Sequence, residues 1–152
     1  MKRDTRIVAW FIGAIPFLIL NAAILCAWAI GQGVSTRWRL LFRVLCHGLP
    51  ERSLELVGTT MPICARCTGI YAGLLAGILA FAFLPRIETA VLKVAVLVAL
   101  IPIGLDGLTQ AAGLRESNNP LRIVTGATVA FLFGIWALAS VEKTGERAFH
   151  TS

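Results

Sequence analysis

The sequence predicts an all-α integral membrane protein: a four-helix bundle with an interfacial helix in its first loop and both termini on one side. Of its 152 residues, 57% are apolar and only 14% are charged, whereas a soluble domain carries about a quarter charged residues. The apolar residues gather in four runs, and a membrane-spanning helix needs about 20 such residues, within a range of about 17–25. The length leaves room for one domain, residues 1–152.

The four predicted spans lie at about residues 7–30, 68–85, 90–110 and 121–141. The first follows a basic start, as in a secretory signal, but a signal core has only about 7–15 apolar residues, so we interpret it as a retained helix. The second carries Gly69, Gly73 and Gly77 on one stripe, where a neighbouring helix can approach closely. The third reaches spanning length if it extends past Lys93, whose aliphatic stem can reach the headgroups.

Four spans place both termini on one side of the membrane and the two longer loops on the other. An excess of Lys and Arg would identify the cytoplasmic side, but each side carries seven of the 14 basic residues. The sidedness therefore stays open. The net charge of +6 suits a bilayer with anionic headgroups, and nothing in the composition points to nucleic acid.

The first loop predicts an interfacial helix. Residues 36–45 alternate basic and apolar side chains, which on a helix gives an apolar face flanked by arginines. Gly48 and Pro50 end this helix, and residues 53–56 are expected to add one short turn. Cys46 and His47 would then lie at the end of the interfacial helix, and Cys64 at the start of a membrane-spanning one.

The most informative residues are four potential metal ligands within this loop: Cys46, His47, Cys64 and Cys67. Spaced Cys and His residues predict a site for one zinc or iron ion. Cys46 and His47 are adjacent, so both can bind one ion only if the backbone is irregular, which Gly48 allows. Two alternatives stay open. The C-x-x-C motif begins a helix beside Arg66, a position that lowers thiol pKa values in redox enzymes, and the cysteines could also be structural.

A second group of polar residues surrounds the end of the third span. An acid at the edge of an apolar run is a functional-site hypothesis, and Asp106 is such an acid, with Arg115, Arg122 or a metal as its expected partner. We expect Asp106 and Glu116 to be acid–base groups in catalysis. The residues expected to bind the substrate, an anionic lipid headgroup or phosphate, are Gln110, Arg115, Asn118, Asn119 and Arg122. One of the two asparagines is also expected to cap the fourth helix.

These motifs also carry a resemblance. Cys46-His47, the run Met61-Pro62 with Cys64-Ala65-Arg66-Cys67-Thr68-Gly69, Asp106-Gly107-Leu108-Thr109-Gln110 and Arg115-Glu116-Ser117-Asn118-Asn119 resemble the signature of a small bacterial and archaeal membrane-protein family. That family is known only as a domain of unknown function. The resemblance implies a multi-pass helical protein of the prokaryotic cell membrane and implies no reaction.

Three functional hypotheses follow, and the sequence leaves open whether the protein is an enzyme. The first is a membrane protein with a zinc or iron site beside a polar pocket. The second is a thiol–disulfide oxidoreductase, because a C-x-x-C in a four-helix membrane bundle is similar to quinone-linked disulfide-forming enzymes. This chain departs from those enzymes by lacking a clear second cysteine pair. The third is a non-enzymatic lipid-binding or partner subunit.

Overall fold

The structure is a computed structural model that describes residues 3–85, 87–114, 116 and 118–150. Within these ranges, residues 3–4 and 145–150 are described by their backbone alone. It contains four α-helices: α1 Arg3–Gly31, α2 Ala65–Phe81, α3 Thr89–Ala111 and α4 Asn119–His150. The stretches Thr5–Gly31, Thr89–Ala111 and Asn119–Thr144 are long and apolar enough to cross a membrane, and α2 is a shorter apolar helix. The predicted all-α membrane class is confirmed.

The centre of the bundle is the pair α2 and α4, which run in the same direction. Gly69, Gly73 and Gly77 of α2 are buried and lie against the α4 backbone. A Cβ atom added at Gly73 would lie 2.2 Å from the carbonyl oxygen of Ala127, a distance that no real contact shows. The glycine stripe therefore lets the two helix backbones touch, as small residues do between membrane helices.

Helix α1 packs antiparallel against α2, and helix α3 packs antiparallel against α4. In α1, Gly13 lies beside Ile78 near the end of α2. In α3, the Oγ1 atom of Thr89 accepts a hydrogen bond of 3.2 Å from Lys143 Nζ, near the end of α4. The start of α1 and the end of α4 thus share one side of the membrane, as predicted. Only 11% of the most apolar stretch of α1, and 11% of that of α3, is buried inside the protein. Most of the side chains of these two helices therefore face lipid.

The first loop corrects one prediction. Residues 53–56 were expected to form a short helical turn, but Ser53–Leu56 is a strand, β1, which pairs antiparallel with Thr59–Cys64, β2. Val57 and Gly58 join the strands with φ of 52° and 72°, the left-handed backbone that a tight two-residue hairpin requires. Four residues are too few to distinguish a strand from a helical turn by their period, and the backbone partners that β2 supplies make them a strand.

The interfacial segment is present as a 3-10 helix, Thr36–Val44, followed by a second short one, Pro50–Arg52. Its apolar side chains Trp38, Leu41 and Val44 are exposed, as expected of a segment that lies at the membrane surface. Arg39 ties it to the hairpin, because its Nη2 atom donates to Thr60 Oγ1 at 2.6 Å. This contact holds the loop over the start of α2.

A hydrophobic cluster attaches the hairpin to the end of α1. Its buried members come from α1, the first 3-10 helix with its following residues, and β2: Ala23, Ala27, Phe42, Cys46, Met61, Ile63 and Cys64. Ile63 is fully buried at its centre. Two of the four candidate ligands therefore sit in packed surroundings, where their positions are restricted by their neighbours.

Candidate metal centre and polar cavity

Gly48 brings the first two candidate ligands against the hairpin. It adopts φ of 56°, and a Cβ atom there would lie 2.7 Å from the carbonyl oxygen of Pro62. Only glycine tolerates both conditions. The chain consequently passes close to β2, and the Cys64 backbone N–H donates a 3.2 Å hydrogen bond to Cys46 Sγ.

Cys46, His47 and Cys64 form a compact set of ligand atoms. The distance from Cys46 Sγ to His47 Nδ1 is 3.8 Å, and the two sulfurs and one ring nitrogen all lie within 4.8 Å of one another. A tetrahedral ion with metal–sulfur bonds of about 2.3 Å and metal–nitrogen bonds of about 2.0 Å separates its ligand atoms by about 3.5–3.8 Å. The set is therefore close to binding geometry and needs only a small contraction.

Cys67 lies beside this set without belonging to it. It occupies the first turn of α2, and its backbone N–H donates to Cys64 Sγ at 3.5 Å, so the Cys64 sulfur caps the helix. The Cys67 thiol interacts with the sulfurs of both Cys64 and Cys46. Cys67 is thus close to the two sulfurs of the set, although its own sulfur is not among the ligand atoms that lie within 4.8 Å of one another.

The surroundings of Cys64 favour its thiolate. The pKa of Cys64 is lowered to about 4, chiefly by a hydrogen bond from the Cys67 thiol and against the opposing effect of burial. The Cys67 backbone N–H, the Cys46 side chain and the nearby His47 also contribute to this lowering. The thiolate is the form of cysteine that binds metals and attacks disulfides, so both the metal and the redox hypotheses gain support.

Asp106 has a partner that the sequence did not suggest. Its side chain is 3% exposed and pairs with the guanidinium group of Arg66, whose side chain is 26% exposed. We had named Arg115 and Arg122 as candidates; Arg115 lies outside the described residues. Arg66 stands inside the C-x-x-C motif, so this pair joins α3 directly to the ligand-bearing turn of α2.

The two asparagines have different positions. Asn118 Oδ1 accepts a hydrogen bond of 2.9 Å from the Leu121 backbone N–H and so caps α4. Asn119 donates to the carbonyl oxygen of Ser53 at 3.2 Å and accepts from Arg122 Nη1 at 3.1 Å. Arg122 is buried. Asn119 thereby connects the third loop to the hairpin and orients Arg122.

A cavity of about 310 Å³ lies next to the thiols. Its lining comes from the first loop and from α2, α3 and α4: Leu45, Cys46, His47, Arg52, Cys64, Arg66, Cys67, Ile70, Gln110 and Arg122. The structure thus brings Gln110 and Arg122 to the cysteines, as the shared membrane side led us to expect. Asp106, Glu116, Asn118 and Asn119 are not part of this lining, and Glu116 is exposed. Their predicted roles remain predictions.

Sequence reasoning missed Arg52 and Arg66 as cavity residues. Both could have been recognised from the sequence, because Arg52 follows the Cys46-His47 pair by a few residues and Arg66 separates the two cysteines of the motif. An arginine inside a ligand motif was interpreted only as an influence on thiol pKa. Its spacing from Asp106 gave no signal, since 40 residues separate the two along the chain.

The chain matches known proteins along most of its length. Residues 46–136 match the model of a family described as "Predicted membrane protein (DUF2085)". An uncharacterized protein of Methanocaldococcus jannaschii is 36% identical over 133 residues, covering 80% of this chain and 85% of that protein. An uncharacterized protein of Methanothermobacter thermautotrophicus is 45% identical over 102 residues, covering 67% of this chain and 90% of that protein. No solved structure matches the chain.

Proposed function

The chain belongs to this family of membrane proteins of unknown function, and we propose that it binds one zinc or iron ion through Cys46, His47, Cys64 and Cys67. The ion would lie at one membrane interface, beside the polar cavity. The observation that carries this proposal is the convergence of Cys46, His47 and Cys64 within 4.8 Å. These residues come from two separate parts of the loop, and their approach depends on a glycine with positive φ.

The ligand types support zinc or iron over other ions. Thiolates and imidazole select soft or borderline metals, whereas Mg²⁺ and Ca²⁺ take oxygen ligands. The Cys64 N–H that donates to Cys46 Sγ is the kind of outer contact that orients a metal-bound ligand. With Cys67 added, the four protein ligands would complete a tetrahedral site.

The cavity supplies the rest of the proposal. Gln110 and Arg122 line it, and Asp106 reaches it through Arg66. In this arrangement Asp106 would be the acid–base group, and the arginines would hold an anionic substrate, a phosphate or lipid headgroup. The lipid bilayer surrounds the apolar faces of α1 and α3.

Metal analysis of the purified protein tests the proposal. Protein made under reducing, metal-replete conditions and purified in detergent should carry close to one zinc or iron per chain by inductively coupled plasma mass spectrometry. Cys64→Ser should empty the site, because it removes a charged ligand. The substitution leaves the volume of the side chain almost unchanged, so the packing of the fold is preserved. His47→Ala should lower the metal content too, and His47 is exposed, so its loss leaves the core intact.

Cys26→Ser is the matched control. Cys26 is a thiol in α1 that packs at the edge of the same hydrophobic cluster, but it is not one of the converging ligands. Its replacement should leave the metal content unchanged. Metal at background in the unmodified protein, or equal metal in the Cys64→Ser and Cys26→Ser proteins, would refute the metal site.

A thiol–disulfide oxidoreductase is the second candidate, favoured by the low pKa of Cys64 and by two further thiols beside it. Both hypotheses require the same three cysteines to lie close together, so trapping with a maleimide is needed to distinguish the two hypotheses. Thiols protected until a chelator is added indicate a metal. Thiols that react at once in native, metal-free protein, and that form a disulfide between Cys64 and Cys67 or Cys46, indicate redox work.

A further inference from the structure

The cavity beside the thiols contains a second set of side chains that the metal proposal leaves without a defined ligand. Arg52 of the second 3-10 helix, Arg66 of α2 and Arg122 of α4 all line it, together with Gln110 of α3. Within the described residues, no carboxylate belongs to this lining. Three arginines from three separate elements therefore line one cavity, and a cleft lined by one sign of charge raises the local concentration of ions of the opposite sign.

Two of the three guanidinium groups are held in place. Arg66 is paired with Asp106, and Arg122 is oriented by Asn119, which is itself bound to the hairpin at Ser53. Arginine side chains lose considerable conformational freedom when they bind a ligand, so orientation in advance removes part of that cost. A preorganised set of arginines is consistent with a built binding site.

Arg66 also keeps a buried donor for a further partner. Its Nε atom is buried and has no hydrogen-bond partner within the described part of the chain. The great majority of buried donors in proteins have a hydrogen-bond acceptor, which is supplied by the protein, by water or by a ligand. The Asp106 pair uses Nη2 and leaves the Nε donor without a partner among the described residues.

We infer that this cavity binds the phosphate group of an anionic ligand through Arg52, Arg66 and Arg122. Guanidinium groups match phosphate oxygens with paired hydrogen bonds. The volume of about 310 Å³ is at the lower end of ligand pockets, which span about 300–1,000 Å³, and suits a phosphate with a small attached group. The inference rests on the proposed function in that it names the ligand of the same cavity, but the guanidinium contacts need no metal.

The position of the cavity allows two sources of the phosphate. Leu45 lines the cavity directly after the 3-10 helix Thr36–Val44, whose exposed apolar side chains suit a position at the membrane surface. The cavity therefore lies at headgroup depth, next to water. A phospholipid headgroup could enter from the bilayer, and a soluble phosphate compound could enter from the aqueous side.

Calorimetric titration of purified protein in an uncharged detergent, at constant ionic strength, tests the inference with two probes. One probe is inorganic phosphate, and the other is a short-chain phosphatidic acid. Binding of inorganic phosphate supports a soluble source, and binding of phosphatidic acid alone supports a lipid source. The inference is overturned when neither probe binds.

Arginine variants then assign the site. Arg52→Gln should weaken binding at least about tenfold, since it removes a charge-assisted contact, and Arg52→Lys should weaken it less. Arg43→Gln is the control, because Arg43 is an exposed arginine of the neighbouring 3-10 helix outside the lining. Equal losses for Arg52→Gln and Arg43→Gln would overturn the inference, since they would show only a general charge effect.

The Cys64→Ser protein keeps the two proposals separate. It should lose its metal and still bind the phosphate probe, because the three guanidinium groups remain. A protein that contains metal but binds neither probe refutes the phosphate site and leaves the metal site standing. A protein that lacks metal but binds phosphate in an Arg52-dependent manner refutes the metal site and leaves the phosphate site standing.

Discussion

Arg66 connects the two groups of residues that the sequence suggested separately. It stands between Cys64 and Cys67 at the start of α2, and its guanidinium group pairs with Asp106 near the end of α3. A carboxylate that is 3% exposed is costly to keep charged unless a cation and hydrogen bonds offset its desolvation. The pair therefore stabilises the docking of α3 on the ligand-bearing end of the bundle.

The two single substitutions in this pair should differ in effect. Arg66→Gln should lower the free energy of unfolding by about 3 kcal/mol, the low end for breaking a buried pair, because it takes the cation from a carboxylate in a dry site. Asp106→Asn should cost about 1–2 kcal/mol, because Arg66, 26% exposed, can turn toward water and the neutral amide needs less solvation. Thermal unfolding followed by circular dichroism in detergent measures both.

The double variant provides the check on this prediction. Arg66→Gln combined with Asp106→Asn should be less destabilising than the two single costs added together, since the second substitution removes the charge whose pairing with Arg66 the first one abolished. Strict additivity would show that the two side chains contribute independently, and the pair would then have no role in joining α3 to α2.

At the scale of the elements, the contact between α2 and α4 controls where the cavity residues lie. The stripe of Gly69, Gly73 and Gly77 sets the distance between the helices. Cys67 and Arg66 precede this stripe on α2, and Arg122 starts the matching part of α4. A change in the helix separation therefore moves Arg122 relative to the thiols, which links the packing of the membrane-spanning part to the geometry of the site.

Gly73→Ala should destabilise the protein by about 1–3 kcal/mol, the usual cost of overpacking. The added Cβ atom would lie 2.2 Å from Ala127 O and 2.6 Å from Ala127 Cα, so backbone and not a flexible side chain has to move. The melting temperature in detergent measures the effect. Gly104→Ala in α3 is the matched control, because nothing lies within 4 Å of its added Cβ atom.

Gly104→Ala should be neutral or slightly stabilising, since alanine is favoured over glycine in a helix by up to about 1 kcal/mol. Equal melting temperatures for the Gly73→Ala and Gly104→Ala proteins would contradict the close approach of α2 and α4. The Gly73→Ala protein should also bind the phosphate probe more weakly than the Gly104→Ala protein, because its Arg122 is displaced.

At the scale of the whole molecule, the bundle has a polar end and a terminal end. The hairpin, the thiols, Arg66 and Arg122 lie together at one end, and the contact of Lys143 with Thr89 lies at the other. Every described residue that lines the cavity therefore lies on the same side of the membrane. The balance of basic residues leaves the identity of that side undecided.

Labelling from one side of the membrane tests this arrangement. Cysteines introduced as Glu116→Cys and Lys143→Cys should show opposite labelling by an impermeant maleimide in sealed vesicles of one orientation, with peptide mass spectrometry to separate them from the native thiols. The same experiment identifies which compartment the cavity faces. Labelling of both positions from the same side, in intact vesicles, would contradict a bundle with an even number of crossings.

Much of this protein was predictable from local features of its sequence. Hydropathy determines which segments enter a membrane, because the cost of burying charge in lipid depends on each segment by itself. The spacing of Cys64 and Cys67 on one turn, the glycine stripe of α2 and the amphipathic pattern of residues 36–45 are local in the same sense. These features predicted the class, the helices and the candidate ligands.

The tertiary structure decided what depends on contacts between distant segments. The pairing of Arg66 with Asp106 and the parallel contact of α2 with α4 follow from how each helix is rotated about its axis. The entry of Arg52 into the cavity follows from how the first loop folds against the helices. Many rotations satisfy the same hydropathy pattern, because lipid accepts any apolar face. The hairpin was missed for a related reason: four residues are too few to show a period, and only the partner strand supplies the hydrogen bonds that make them a strand.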